Sequence, residues 1–203
     1  MRIAVFGATG GTGRALVEQG LSNGHNVTAF VRNPQKLSIM HERLSFVKGD
    51  VLNPEDVERA VRDQDAVLSV LGPTKHSPAN ICSAGTKNIM HAMKKHGVRR
   101  LIVQSAFGAG DTRKKGLYAR LLSMVIPSFM NDKDVMEKAV KESGVEWIIV
   151  RPAALTNGPK RGTYRVPDTM PFIPMISRAD VADFILHQLE SDEYLHATPA
   201  VAY

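Results

Sequence analysis

Gly7, Gly10 and Gly13 have a spacing that can hold a phosphate against the backbone: FGATGGTGRAL repeats glycine every third position after an apolar run. Ile3–Phe6 reads as a buried strand, and Thr12 onward as a helix through Arg14, Ala15, Leu16 and Val17. Strand, glycine-rich turn and helix in that order separate a dinucleotide site from a chance cluster of glycines. Gly7 permits the tight turn, Gly10 lets the backbone approach a diphosphate, and Gly13 lets the helix lie close on the sheet. The helix N–H groups and its positive dipole end then face the anion. Gly7, Thr9, Gly10, Gly11, Thr12 and Gly13 are therefore the expected diphosphate cradle.

The end of the next apolar run bears on which nicotinamide nucleotide fits. A site for the unphosphorylated ribose places Asp or Glu there, about 20 residues past the glycines. This chain has Val31-Arg32-Asn33-Pro34, with no carboxylate. A guanidinium at Arg32 suits a ribose 2′-phosphate, because its planar fork donates charge-assisted, often bidentate bonds. Lys36 adds a second cation, so NADPH is the expected cofactor; the alternatives are a solvent-facing strand end for Arg32 and an uninvolved Lys36. Asp50, in Gly49-Asp50-Val51, either accepts from an adenine amine or caps the turn before Asn53, with Val51 beside it. Leu71-Gly72-Pro73 closes another strand, where Gly72 allows close backbone approach to a cofactor.

These residues need a scaffold, and the chain alternates strand and helix signals. Further strands are expected at Asn26–Val31, Leu44–Lys48, Ala66–Leu71, Leu101–Ser105 and Val145–Arg151. Helices are expected near Asn53–Arg62, Pro78–His96, Asn131–Ser143 and Ser177–Glu190, several stopped by glycine at His96-Gly97 and Ser143-Gly144. Ser177 and Asp180 are spaced as a capping box. Near-continuous apolar strands alternating with helices argue for α/β architecture: a single doubly wound Rossmann-type domain, 1–203, with a parallel sheet covered on both faces. Ligands then bind at the carboxyl ends of the strands. The stretches 106–130 and 152–176 break the alternation and read as long loops over the nicotinamide end, where substrate would sit.

Composition narrows the partners. The 203 residues suffice for one well-cored α/β domain. Lys and Arg number 26 against 20 Asp and Glu, giving +6 and an isoelectric point near 9.5. The excess is scattered and no basic segment is interleaved with aromatics, so nucleic acid is not an expected partner. No long apolar span predicts a membrane helix, and the first apolar run is too short for a signal peptide. Cys82 is the only cysteine, which excludes an intrachain disulfide, fits a reducing cytoplasm, and reads as a small core residue.

Taken in order, FGATGGTG, VTAFVRNPQKL, GDVLNPEDV, DAVLSVLGP, NIMHAMKKHGVRRLIVQSAF, KESGVEW and SDEY resemble an atypical short-chain dehydrogenase/reductase of the biliverdin-IXβ reductase/flavin reductase group. The likeness covers nearly the whole chain, and GxxGxxG is the spacing of that class. It implies an NADPH-dependent reductase of flavins and linear tetrapyrroles, usually monomeric and cytoplasmic; a small-molecule substrate, such as a flavin, quinone or tetrapyrrole, is expected, and no metal. The group's site serine matches Ser105, whose hydroxyl either bonds the nicotinamide or an acceptor or merely caps the strand end, and Pro152 falls against the cofactor. Its histidine position is held by Ala154. The Tyr-x-x-x-Lys of ordinary short-chain reductases is missing: Phe129 stands at the tyrosine position and Tyr118 is followed four places later by Leu122. Lys133, at the lysine position, either contacts the nicotinamide ribose or is an exposed helix-start residue.

Losing the tyrosine has a chemical consequence. Reducing a ketone generates a basic alkoxide and calls for a positioned acid. A flavin or quinone spreads the arriving charge, so solvent can supply the proton. Orientation of two bound rings then becomes the protein's main task. Phe107, Leu117, Tyr118, Phe129, Tyr164 and Phe172 are candidates to line the acceptor pocket. Met124, Met130, Met170 and Met175 would give it a deformable wall. A regulatory NADP(H) sensor without turnover is the alternative.

Overall fold

The computed structural model describes residues 1–113, 116–167 and 174–203, without the side chains of 116–118, 122 and 123. Strands β1 (Arg2–Phe6), β2 (Asn26–Val31), β3 (Leu44–Lys48), β4 (Ala66–Ser69), β5 (Arg100–Gln104), β6 (Glu146–Pro152) and β9 (Ala200–Val201) form one sheet. A separate pair joins β7 (Ala154–Thr156) to β8 (Met175–Ser177). Every pairing in the seven-stranded sheet is parallel, in the order β3-β2-β1-β4-β5-β6-β9. Strand order reverses between β1 and β4, and such a reversal opens a crevice at the carboxyl ends of the strands.

The period of two along each strand builds a core on both faces. Ile3, Val5 and Leu68 point to the side covered by α1 (Gly11–Ser22) and α6 (Arg178–His187). Ala4, Phe6 and Val67 point to the side covered by α2 (Pro54–Val61), α3 (Ile81–His96) and α5 (Pro127–Lys141). The helix boundaries follow local chemistry. Asn53 caps α2 by accepting from the Glu55 amide, with Pro54 in the first turn. Gly97, at φ +68°, ends α3. Ser177 caps α6, accepting from the Asp180 amide, and donates its hydroxyl to the Asp180 carboxylate.

The expected loop 106–130 departs most from its sequence reading. It holds a 3-10 turn at Gly110–Thr112 and a helix, α4 (Gly116–Val125), and α5 starts at Pro127 rather than near Asn131. The helical period was hidden because α4 turns apolar residues to solvent: Leu121, Met124 and Val125 are 57%, 79% and 67% exposed. In the second stretch, β7 and β8 contain three residues each, and β9 only two. Runs that short leave no readable alternation.

Candidate functional site

The glycine turn is packed too closely for side chains. A Cβ on Gly13 would lie 2.0 Å from the Gly7 carbonyl oxygen, and one on Gly7, at φ +85°, would lie 2.7 Å from the Val70 carbonyl oxygen. The Gly10 amide donates to the Gly7 carbonyl at 3.0 Å, closing the turn. Helix α1 then begins with Gly10 at the cap position, no side-chain cap and no acid in its first turn. Helices α2 and α6 each have both. The open end of α1, carrying Gly11, Thr12 and Gly13, is thus free to face an anion. Thr9 and Arg14 reinforce it. Arg14 Nε donates to the Thr9 carbonyl at 3.1 Å, and its Nη2 donates to the Lys36 carbonyl. Sequence reading missed Arg14, whose partner lies across a turn with no spacing signal.

Arg32 is the first residue beyond β2, and Lys36 ends the 3-10 turn Pro34–Lys36, capped by the Asn33 side chain. Both are exposed at the same strand end. Arg32 Nη2 reaches Thr74 Oγ1 at 3.4 Å, so it leans toward the segment after β4. Asp50 takes the turn role: its Oδ1 accepts from the Leu52 amide at 3.0 Å and its carbonyl from Asn53 at 2.9 Å. Val51 is buried against Gly85, where a Cβ would come within 2.8 Å of it. Gly72 has nothing within 4 Å of a Cβ position, so packing does not demand glycine there.

Lys133 is not an exposed helix-start lysine. Because α5 begins at Pro127, Lys133 falls in its second turn and is 1% exposed. Its ammonium donates to the Leu71 carbonyl at 3.0 Å and the Gln104 carbonyl at 2.7 Å, with the Phe129 ring centroid 5.6 Å away. It therefore ties the chain after β4 to the end of β5. Asp132 beside it accepts from the Cys82 and Ser83 amides, at 2.8 and 3.0 Å, capping α3 from another helix. Burial pushes the Cys82 thiol pKa up, outweighing the pull of the Lys133 charge, so the thiol stays protonated.

Ser105 is the first residue past β5. Its amide donates to the Val150 carbonyl at 2.7 Å, while its side chain is 2% exposed. Its Oγ has no hydrogen-bond partner among the described residues, and neither has Gln104 Oε1. A buried hydroxyl without a partner is uncommon enough to require a reason. Ser69 Oγ, at the end of β4, and Thr86 Oγ1 are likewise unpartnered among the described residues; at the carboxyl ends of adjacent parallel strands, as for Ser69 and Ser105, a bound nucleotide supplies that reason. The residues present fit a nicotinamide nucleotide.

The neighbouring strand end is held by ions that sequence reading missed. Arg151, 1% exposed, donates through Nε at 3.0 Å and Nη2 at 2.5 Å to the Glu137 carboxylate, and pairs through Nη1 with Asp111 at 2.7 Å. Burial alone would lower its pKa, but these two carboxylates raise it. A Cβ on Gly110 would sit 2.6 Å from both Arg151 Nη2 and Glu137 Oε2. The Phe107 amide donates to the Pro152 carbonyl at 3.0 Å, joining the segments that follow β5 and β6.

The expected aromatic and methionine lining comes together only in part. Phe107 is buried, while Phe129 is half-buried and shares an apolar hollow of about 310 Å³ with Pro73, Ile126 and Pro127. Ala154 opens β7, its amide bonded to the Pro174 carbonyl at 3.0 Å. Tyr164 is not a lining residue: its hydroxyl donates to Asp183 at 2.9 Å and its ring packs edge-on against Phe184. Met130 is fully buried, whereas Met124 and Met175 are exposed, so these three make no common wall. The Leu117 and Tyr118 side chains, Met170 and Phe172 lie outside the described residues. Among the described residues there is no His, Cys, Asp or Glu cluster suited to a metal, and no helix is long and apolar enough to cross a membrane.

A doubly wound parallel sheet with a glycine-lined helix end at its topological switch defines a dinucleotide-binding protein of the Rossmann class. Residues 7–192 match the model of the family described as NAD(P)H-binding, and the chain belongs to that family. It is 30% identical over 208 residues to an uncharacterized chloroplastic protein of Arabidopsis thaliana, covering 95% of this chain and 73% of that one. It is 25% identical to the photosystem II assembly factor Ycf39 of Synechocystis, covering 98% of this chain and 61% of that longer protein. Among solved structures, the anaerobilin reductase ChuY of Escherichia coli O157:H7 superposes with a TM-score of 0.85 at 20% identity, over 100% and 97% of the two chains. At that identity the likeness is one of fold.

Proposed function

We propose that the chain is an NADPH-dependent reductase that passes hydride to a conjugated acceptor: a flavin, a quinone or a linear tetrapyrrole. The observation that carries the reading is the buried, unpartnered Ser105 hydroxyl at the end of β5. In this reading Gly7–Gly13 hold the diphosphate, Arg32 and Lys36 hold the 2′-phosphate, and Leu71, Gly72 and Pro152 border the nicotinamide. When bound, the dihydronicotinamide supplies the hydride. Lys133 fixes the carbonyls of Leu71 and Gln104, and the Ser105 hydroxyl, next along the chain, is left to bond a polar atom of a bound ring. Ala154 and Phe129 offer no acid, which favours acceptors that take their proton from solvent. The stretches 106–130 and 152–176 form the acceptor side.

Titration of NADPH and NADH, followed by NADPH oxidation with riboflavin, FMN, a quinone and biliverdin, tests the reading. NADPH should bind better by about ten- to a hundredfold, the worth of a charge-assisted contact. Arg32→Ala should erase that preference. Equal affinity for both nucleotides in the unaltered protein refutes the cofactor assignment. Ala154 and Phe129, at the positions of the missing acids, also favour a second reading: a regulatory NADP(H)-binding protein, as the likeness to an assembly factor suggests. Tight NADPH binding without turnover on any of the four acceptors supports that reading instead.

A further inference from the structure

Gly11 has no conformational need to be glycine. Its backbone lies outside the left-handed region, at the first residue of α1. What its missing side chain provides is room. A Cβ at Gly11 would stand 2.4 Å from Arg178 Cδ and 2.9 Å from Arg178 Nε. The Arg178 stem therefore lies across the first residue of α1.

Several contacts fix this arrangement from outside. Arg178 is the first residue of α6, whose start is set by the Ser177–Asp180 cap. Gln19 of α1 donates to the Ala179 carbonyl at 2.9 Å, so the helices are registered beside the arginine. Arg178 Nη1 donates to Asn157 Oδ1 at 2.6 Å. That partner is neutral, and no carboxylate pairs with Arg178 among the described residues. Lys160, by contrast, pairs with Asp183 at 2.6 Å. A guanidinium and the positive end of α1 thus sit side by side with no acid between them. An anion relieves that like-sign contact, and the guanidinium fork matches phosphate oxygens.

We infer that Arg178, laid over Gly11 and aimed by Asn157, binds the diphosphate of the nicotinamide nucleotide from the α6 side. The inference rests on the nucleotide site proposed above, and the test separates the two. NADPH, NADH and adenosine 2′-monophosphate are titrated calorimetrically into the unaltered protein, Arg178→Ala and Arg178→Lys. Arg178→Ala should weaken NADPH and NADH by the same factor, about ten- to a hundredfold, leaving their ratio intact. Adenosine 2′-monophosphate, which has no diphosphate, should bind both proteins equally. Arg178→Lys keeps the aliphatic stem and the charge, and should recover part of the loss. NADPH affinity within twofold of the unaltered value in Arg178→Ala overturns the inference. So does a parallel loss of adenosine 2′-monophosphate, which would mark damage to the whole site. Failure of the unaltered protein to bind either nucleotide refutes the underlying site instead.

Discussion

In Ser105→Ala the Cβ stays and only the hydroxyl goes, so the substitution isolates one atom that has no partner among the described residues. A buried polar group without a hydrogen bond costs about 1–3 kcal/mol. Removing it recovers part of that, less the small void left behind, for a net gain of about 1 kcal/mol. In a chain of this size such a gain raises Tm by about 2–4 °C. The NADPH-loaded protein should behave differently. If the hydroxyl bonds a ring at the reacting end, its loss removes a neutral hydrogen bond worth about 0.5–1.5 kcal/mol and slows turnover about two- to tenfold. NADPH affinity should stay within about threefold, because the diphosphate and 2′-phosphate contacts lie elsewhere. Thermal unfolding followed by circular dichroism, calorimetric titration and saturated turnover measure the three quantities. A lower Tm for the free variant would show that the hydroxyl was satisfied after all. Lost NADPH binding with unchanged turnover at saturation would place Ser105 away from the reacting ring.

Gly13→Ala should abolish nucleotide binding and lower stability by at least about 2 kcal/mol in a denaturant titration, since its Cβ would meet backbone at 2.0 Å. Glu137→Ala should cost about 3 kcal/mol by leaving the Arg151 guanidinium buried with only Asp111, whereas the double variant Glu137→Leu, Arg151→Met should regain most of it. Asp180 gives a pH dependence. Burial pushes its carboxyl pKa up, but the Tyr203 hydroxyl, the Gly162 amide, Ser177 and the Arg161 amide together bring it below the usual carboxylate range. Its contribution is therefore full above pH about 4, the unfolded value, and is lost as pH falls through the lower folded value. Tm measured from pH 7 down to 2 should drop less steeply in Asp180→Asn than in the unaltered protein.

Much of the fold was legible because the chain marks its own boundaries. The second and third strands fall at the positions their apolar runs and flanking glycines or proline predicted, and the Ser177–Asp180 cap starts the last helix. The close-packed glycine turn and the basic end of β2 were legible for the same reason: each is a local pattern at the end of a strand. The surroundings of Lys133 were hidden. Its role depends on α5 starting at Pro127, inside an apolar run that displays no period, and on carbonyls 62 and 29 residues away. The Arg151–Glu137 pair joins a strand to a helix, and Arg178 reaches Gly11 from the far end of the chain. Long-range charge contacts of this kind leave no trace in spacing.

The contacts around Phe107 and Arg151 have a mechanical consequence. Gly108 donates to Thr112 Oγ1 at 2.8 Å, Gly110 to Asp134 at 2.7 Å, and Phe107 to Pro152 at 3.0 Å, while Arg151 holds Asp111. The chain from Ser105 to Thr112 is thereby tied to the end of β6 and the middle of α5, and under the proposed function that side of the crevice behaves as masonry. A guest that is too broad there cannot be met by a swinging flap; the ion pair would have to break first. Under the proposed function, selection between flat guests on that side would come from outline rather than from loop closure. Under the same reading, a search for a wider guest range would start at the hollow walled by Pro73, Ile126 and Phe129 rather than at residues 105–112.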